Sequence, residues 1–396
     1  MDGIARWLVN DAPHNSVKDL FAAFCMEIVR SGAPVWRSSL GLEVINPEIS
    51  GWHHVWTADS LSVTPADRAT AVSSQSYLTG PTRIIDETER PFRRRLDAPC
   101  LDMPLLEELR LDGATDYVMY PLPFLDHSRT AVISFATRQA KGFDPATLES
   151  LELAARFLSP YMERYVLRRI AIDLLDTYVG PHTGQRILKG RVDRGAAEQI
   201  EAAIWFVDLR GFTLLSEQVP IPEVLAHLNA WFGTMGEVLE THGGEVLKFM
   251  GDAALAIFPI SAEQDRSSAC QRALAAAEVF CRRTDEENAL RQTAGSPLAI
   301  HGLALHVGEV AYGNVGSRHR LDFTVIGPSV NRASRLLDLA KRLDRQVLIS
   351  DAVAQEVDHP LIDMGYHALR DVDQPQRVFT LAKPSNLVTS IHKNHF

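Results

Sequence analysis

What the chain lacks narrows it first. Its 396 residues contain no run of 18 consecutive apolar residues, so no membrane span is expected. Met1 to Val9 carries Asp2 and Arg6 and lacks a long apolar segment, which argues against a secretory leader. Cysteine is scarce: Cys25, Cys100, Cys270 and Cys281 form no CxxC pair and read as reduced thiols of a cytoplasmic protein. Positive charge is in deficit, 40 Lys and Arg against 50 Asp and Glu, for a net charge of −10. The molecule as a whole therefore repels nucleic acid and anionic membranes, and neither is expected as a partner. A polyanionic substrate would need its own local cations, supplied by metal ions and a few Lys or Arg. Apolar residues are plentiful at 46%, enough for packed cores, and the length predicts two domains.

Five segments are expected along the chain. Residues 1–16 are polar, contain Pro13 and read as a loose lead-in. Residues 17–145 open with a helix, Val17 to Arg30, whose Leu20, Phe21, Phe24 and Ile28 fall at helical spacing. Mixed strand-like pieces follow, including Tyr117 to Pro121 and Thr130 to Thr137. Trp36, Trp52 and Trp56 bunch here, which fits core packing or the wall of a pocket. His53-His54 fits metal ligation or, with no second pair nearby, ordinary surface histidines. Residues 146–199 are a helical linker and connector. Leu151, Ala155, Leu158, Met162, Tyr165 and Ile172 recur at steps of three and four, with Arg169 in one core place. That is a heptad seam, read as a parallel two-chain coiled coil over the alternative of one amphipathic helix on a domain surface. Pro160 should kink or locally break it. Residues 200–383 form the second domain, and 384–396 a flexible tail.

The second domain is organised around Ala202-Ala203-Ile204-Trp205-Phe206-Val207-Asp208-Leu209-Arg210-Gly211. A continuous apolar run reads as a strand buried on both faces, and it ends in a carboxylate. That aspartate is a helix N-cap, a partner for Arg210, or a metal ligand. The last reading gains from Asp252, which follows Gly251 at the turn of an expected hairpin, Glu245 to Phe258. Two carboxylates meeting there suit Mg²⁺, a hard ion that takes oxygen ligands and shares them with substrate phosphates. Next come an amphipathic helix from Ile221 to His242, a long Ala-rich helix over about 262–290, and a strand from Leu298 to Val310. A Gly-rich link at Gly313 and Gly316 leads to a strand from Leu321 to Ile326, a helix from Gly327-Pro328 to Lys341, and a short strand from Gln346 to Ile349. The order β-α-β-β-α-β predicts an α+β fold, an α/β sandwich with a ferredoxin-like core and an extension to Thr380.

Two resemblances add to this. The order of elements in 17–145 resembles the α+β GAF-type sensory domains placed ahead of bacterial signalling enzymes, which implies an unknown small-molecule or protein signal. Three motifs of the second domain are specific: Phe206 to Thr213, Lys248-Phe249-Met250-Gly251-Asp252, and Thr324 to Arg335. Together and in this order they resemble the class III nucleotidyl cyclase catalytic domain, over about half of the chain. The resemblance implies synthesis of cyclic AMP or cyclic GMP from the triphosphate in a head-to-tail homodimer. Asp208 and Asp252, with the backbone carbonyl of Leu209, match the family's metal ligands for two Mg²⁺ or Mn²⁺ ions, roughly 3.5–4 Å apart in two-metal sites. Asn331 and Arg335, four apart on one helix face, match the residues that orient the ribose and stabilise charge on the α-phosphate. Lys248 and Thr324 match the base-reading positions: a lysine donates to adenine N1, where guanine presents a donor of its own. Thr324 departs from the commoner Asp and matches a bacterial and soluble-cyclase subgroup. Arg370 falls where relatives hold the terminal phosphates. ATP is the expected substrate, with adenylate cyclase the implied activity. The competing readings are a guanylate cyclase, a catalytically silent cyclase-like dimerisation domain, and a pure small-molecule sensor. A diguanylate cyclase, suggested by Gly243-Gly244-Glu245, is disfavoured because those glycines should end a helix rather than form a hairpin tip.

Overall fold

A computed structural model describes residues 2–13, 15–98, 101–125, 131–261 and 265–382. Cys100 and the tail expected at 384–396 lie outside them. The chain divides into two compact units, Met1–Leu175 and Asp176–Phe396.

The first unit contains α1 (Asp2–Asn10), α2 (Val17–Arg30), β1 (Arg37–Glu43), β2 (Ile49–Thr57), β3 (Ser60–Asp67), α3 (Gln75–Leu78), α4 (Pro81–Thr88), β4 (Phe92–Arg95), α5 (Pro104–Leu111), β5 (Asp116–Pro121), β6 (Ala131–Thr137) and the start of α6 (Pro145–Val179). The strands make an antiparallel sheet in the order β3-β2-β1-β6-β5-β4. On one face, Leu20, Phe21, Phe24 and Ile28 of α2 pack with Leu40, Ile133 and Phe135 of the sheet. The Ser16 side chain accepts from the Asp19 amide and so starts α2. The segment expected as a loose lead-in is instead helical over α1, because Ile4 and Leu8 lie one turn apart and both bury in this core.

The same core corrects the linker. Leu151, Ala155, Leu158 and Met162, the front of the expected two-chain seam, are buried against this unit's own sheet. Over this stretch the single amphipathic helix is the right alternative, and the seam as drawn is not available to a second chain. Helix α6 also runs unbroken through Pro160, whose exposed ring stands clear of the core. The tryptophans do not share a pocket: Trp52 and Trp56 join the α2 face, whereas Trp36 packs on the opposite face beneath the Arg138 guanidinium, 3.8 Å from its ring centre. His54 is buried and His53 exposed, as neighbours on a strand must be when one face is covered.

The second unit contains α7 (Pro181–Leu188), β7 (Ala197–Leu209), α8 (Phe212–Gln218), α9 (Ile221–Thr241), β8 (Glu245–Met250), β9 (Ala253–Ile260), α10 (Arg266–Thr293), β10 (His301–Gly316), β11 (Leu321–Ile326), α11 (Pro328–Arg342), β12 (Val347–Ser350), α12 (Asp351–Ala354), β13 (Leu361–His367) and β14 (Gln376–Leu381). The sheet runs β13-β14-β12-β10-β7-β9-β8, with β11 paired to β10. Its β10-β7-β9-β8 part, crossed by α9 and α10, is the expected ferredoxin-like core. Strand β7 is buried on both faces. Ala203, Trp205 and Val207 meet α9 and α10, where Trp205 sits edge-on to Phe280 with ring centres 5.4 Å apart. Ala202, Ile204 and Phe206 turn to the other side, where Ala333, Leu336 and Ala340 of α11 cover the sheet. One segment differs from expectation: Gly313 and Gly316 are not a link but lie within β10. Gly313 pairs with Ala197, and a side chain there would collide with the Ala196 carbonyl, so glycine permits the close strand approach.

Candidate active site

Asp208 is the penultimate residue of β7, on the α11 side of the sheet. It stands opposite Ala253 on β9 and Gly302 on β10. The Leu209 amide donates to the Asp252 carbonyl at 3.0 Å, which pins the β8–β9 turn against the end of β7. The two aspartates expected to meet therefore do so. Gly302 makes room: a Cβ there would lie 3.0 Å from Asp208 Oδ1. Burial, and then the neighbouring Asp252 carboxylate, raise the Asp208 pKa to about 6, against the opposing pull of Arg210 and Lys341.

The two ordinary roles for Asp208 are not filled. Arg210 makes no ion pair with it; its guanidinium donates to the carbonyls of Ala340 and Arg345 and pairs with Asp344 at 3.3 Å. Helix α8 begins at Gly211, left-handed at φ 74°, with no side-chain cap. What remains is a half-buried acidic notch short of compensating positive charge. Its donors are hard oxygens: two carboxylates and the Leu209 carbonyl. That set fits Mg²⁺ or Mn²⁺, which keep further places for water and substrate oxygens. Among the described residues there is no group of three or more His, Cys, Asp or Glu that would hold a metal without such help.

The remaining expected residues gather elsewhere on the unit. The ladder of β8 and β9 slips between Val246 and Lys248, so Leu247 turns into the core while Lys248 stays half-buried on the rim. Thr324 lies opposite Gly313 in β11, and β11 touches β8. Thr324 is 4% exposed, and its hydroxyl has no hydrogen-bond partner. A buried hydroxyl without a partner is costly and marks a place for a group from outside the chain. Asn331 is exposed in the first turn of α11. Arg335, one turn on, reaches Asp338 at 3.6 Å and Asp371 at 3.4 Å. Arg370, with 80% of its side chain exposed, also lies 3.4 Å from Asp371. Arg335 and Arg370 are thus brought together, with Asp371 between them.

Among the described residues no hydrogen bond or ion pair joins the two groups. Lys341, near the end of α11, is the residue of that helix whose charge acts on Asp208. Asn331 lies ten positions earlier on the same helix, about 15 Å along its axis at 1.5 Å per residue.

Some residues of this region escape sequence reasoning. Glu245, at the first position of β8, is 6% exposed. Tyr312 donates to both of its oxygens at 3.1 Å, and Thr183 of α7 donates at 3.2 Å. Burial raises its pKa, with the nearby His182 pulling the other way. The available signal was its place two residues before buried Leu247, on the inward side of a strand. Gly243, at φ 72°, ends α9, so Gly243-Gly244-Glu245 is indeed a helix stop. Lys341 and Asp371 gave no signal, since their roles depend on partners distant in sequence.

Comparison with known proteins defines the class. Residues 196–372 match the family described as "Adenylate and Guanylate cyclase catalytic domain". This segment, a little under half of the chain, is similar to those catalytic domains. An adenylate cyclase of Anabaena cylindrica is 32% identical over 169 residues, 43% of this chain and 33% of that protein. An uncharacterized protein of Mycobacterium tuberculosis is 35% identical over 220 residues, 54% of this chain and 38% of that protein. The chain thus spans little more than a third of the length of these curated relatives. Among solved structures, the adenylyl cyclase CyaB from P. aeruginosa is 23% identical, with a TM-score of 0.44, covering 48% of this chain and 97% of that one. No helix among the described residues is long and apolar enough to cross a membrane.

Proposed function

We propose that the protein is an adenylate cyclase that converts ATP to 3′,5′-cyclic AMP and pyrophosphate, working as a homodimer. The observation that carries this reading is the Leu209–Asp252 hydrogen bond. It holds two carboxylates at the end of β7 with no cation of the described residues paired to them. Asp208, Asp252 and the Leu209 carbonyl would hold Mg²⁺ or Mn²⁺, which would neutralise the triphosphate and favour ionised ribose hydroxyl. Lys248 and the unpartnered Thr324 hydroxyl read adenine, the first donating to N1 and the second accepting from the amino group. Asn331 orients the ribose. Arg335 balances charge on the α-phosphate, and Arg370 contacts the terminal phosphates. No hydrogen bond or ion pair among the described residues joins the acidic notch to Arg335, and each complete site is read as taking one set from each of two chains. The first unit is read as a GAF-like sensory domain that regulates the second.

The test is direct. Purified protein incubated with MnATP should yield cyclic AMP, with far less cyclic GMP from MnGTP. Chains carrying Asp208→Ala and chains carrying Arg335→Ala should each be inactive, and their mixture should recover activity at the one intact site per dimer. A mixture as dead as its parts would sink the shared-site reading, and cyclic GMP as the main product would turn the assignment to a guanylate cyclase.

A further inference from the structure

The face of α6 that points away from its own sheet carries a second apolar stripe. Leu153, Phe157, Leu167 and Leu174 are 38%, 37%, 48% and 37% exposed. Pro160, Arg164 and Ala171 are exposed as well. These seven residues, 153, 157, 160, 164, 167, 171 and 174, recur at alternating steps of four and three. They therefore occupy successive d and a places of a heptad. Of the residues that α6 buries in its own unit, Leu151, Ala155, Leu158, Met162 and Val166 fall at the b, c and f places opposite, and Ala154 and Ile170 at e and g places that flank the stripe. The helix thus has one apolar face that its unit uses and another that it leaves in water.

We propose that the Leu153–Leu174 stripe is the seam along which α6 packs, in parallel, against α6 of a second copy of this chain. The proposal rests on the homodimer reading above and adds where the two chains touch. Alternating three- and four-residue steps are matched by a helix with the same spacing, and a second copy supplies one. The flanking charges agree. Glu163 takes a g place and Arg168 the e place five residues on, so a parallel pair sets each glutamate against the partner's Arg168. Arg164 is the one charged residue on the stripe, and it takes an a place. A single polar residue at such a place sets register and strand number while weakening the pair.

The experiment uses the full chain. A photo-reactive benzoylphenylalanine placed at Leu167 or at Leu174 should give chain-to-chain adducts on illumination. At Arg169, an f place, it should give none. In sedimentation, Leu167→Glu with Leu174→Glu should raise the dimer dissociation constant by at least about 100-fold, the scale on which a second linked contact adds to a first. Arg164→Leu should lower it. Both glutamates sit at exposed positions, and circular dichroism checks that the variant folds; if it does not, the adduct pattern decides alone. A dimer that gives no adducts at 167 and 174 would overturn the stripe and leave the homodimer standing. A wild-type chain that sediments as an inactive monomer would overturn both.

Discussion

The second unit carries two charged clusters that solve opposite problems. At the end of β7, Asp208 and Asp252 are half-buried, of one sign, and fixed by sheet hydrogen bonds. On α11 and the loop before β14, Arg335 and Arg370 are positive but already share Asp371. The first cluster stores unfavourable electrostatics in a rigid frame and is short of cations. The second is balanced by exposed ion pairs that are worth little and easily exchanged. A rigid, uncompensated anion pair suits a site that captures metal ions. Loosely neutralised arginines suit a site that trades one anion for another, as the proposed exchange of Asp371 for a phosphate requires.

That contrast can be broken in graded ways. The largest expected effect is on turnover. Arg335→Ala should lower kcat by about 10³–10⁵, the range for an arginine that stabilises a phosphoryl transition state, with little change in melting temperature. A loss under tenfold would mean that the arginine does not face the reacting phosphate.

The second effect is on stability. The pKa of Asp208 in the fold, about 6, lies above its ordinary 3.8. The folded state thus binds the proton more tightly than the unfolded chain does. The associated stability is fully present below about pH 4 and is lost as pH rises through 6. At about 1.4 kcal/mol per unit, the loss is at most about 3 kcal/mol. Denaturant titrations in chelator should show it, and Asp208→Asn should abolish it and leave the metal-free protein more stable at pH 7. A pH-independent difference between wild type and Asp208→Asn would refute the electrostatic account.

The smallest effect concerns the other cluster. Asp371→Ala should change stability by less than about 1 kcal/mol, as exposed ion pairs do. It should also lower KM for the triphosphate by freeing both arginines. A raised KM would instead make Asp371 a positioning residue.

Much of this site was legible because its signals are local. An apolar run stopped by Asp208 reads as a buried strand with a charged mouth. Gly251-Asp252 between two strand patterns can only be a turn. That the hairpin tip could lie beside the end of the first strand is an expectation, and the Leu209–Asp252 hydrogen bond places it there. The failures were non-local. Helix α6 is apolar on two faces, and periodicity cannot tell which one its own sheet will cover; the heptad reading falls on the covered one. Gly313 reads as a link because the reason for it, the Ala196 carbonyl pressing from just ahead of β7, lies more than a hundred residues away. The lead-in hid α1 because two buried residues, Ile4 and Leu8, are too few to make a visible stripe.

Glu245 has a mechanical consequence. Its carboxylate is held from two directions, by Tyr312 of β10 and by Thr183 of α7. Lys248 lies three residues farther along the same strand. Any tug on α7 is therefore delivered to the strand that bears Lys248, and α7 cannot peel away without leaving a buried acid to Tyr312 alone. The helix that leads into this sheet is riveted to it, so strain arriving there is passed to the strand that bears Lys248.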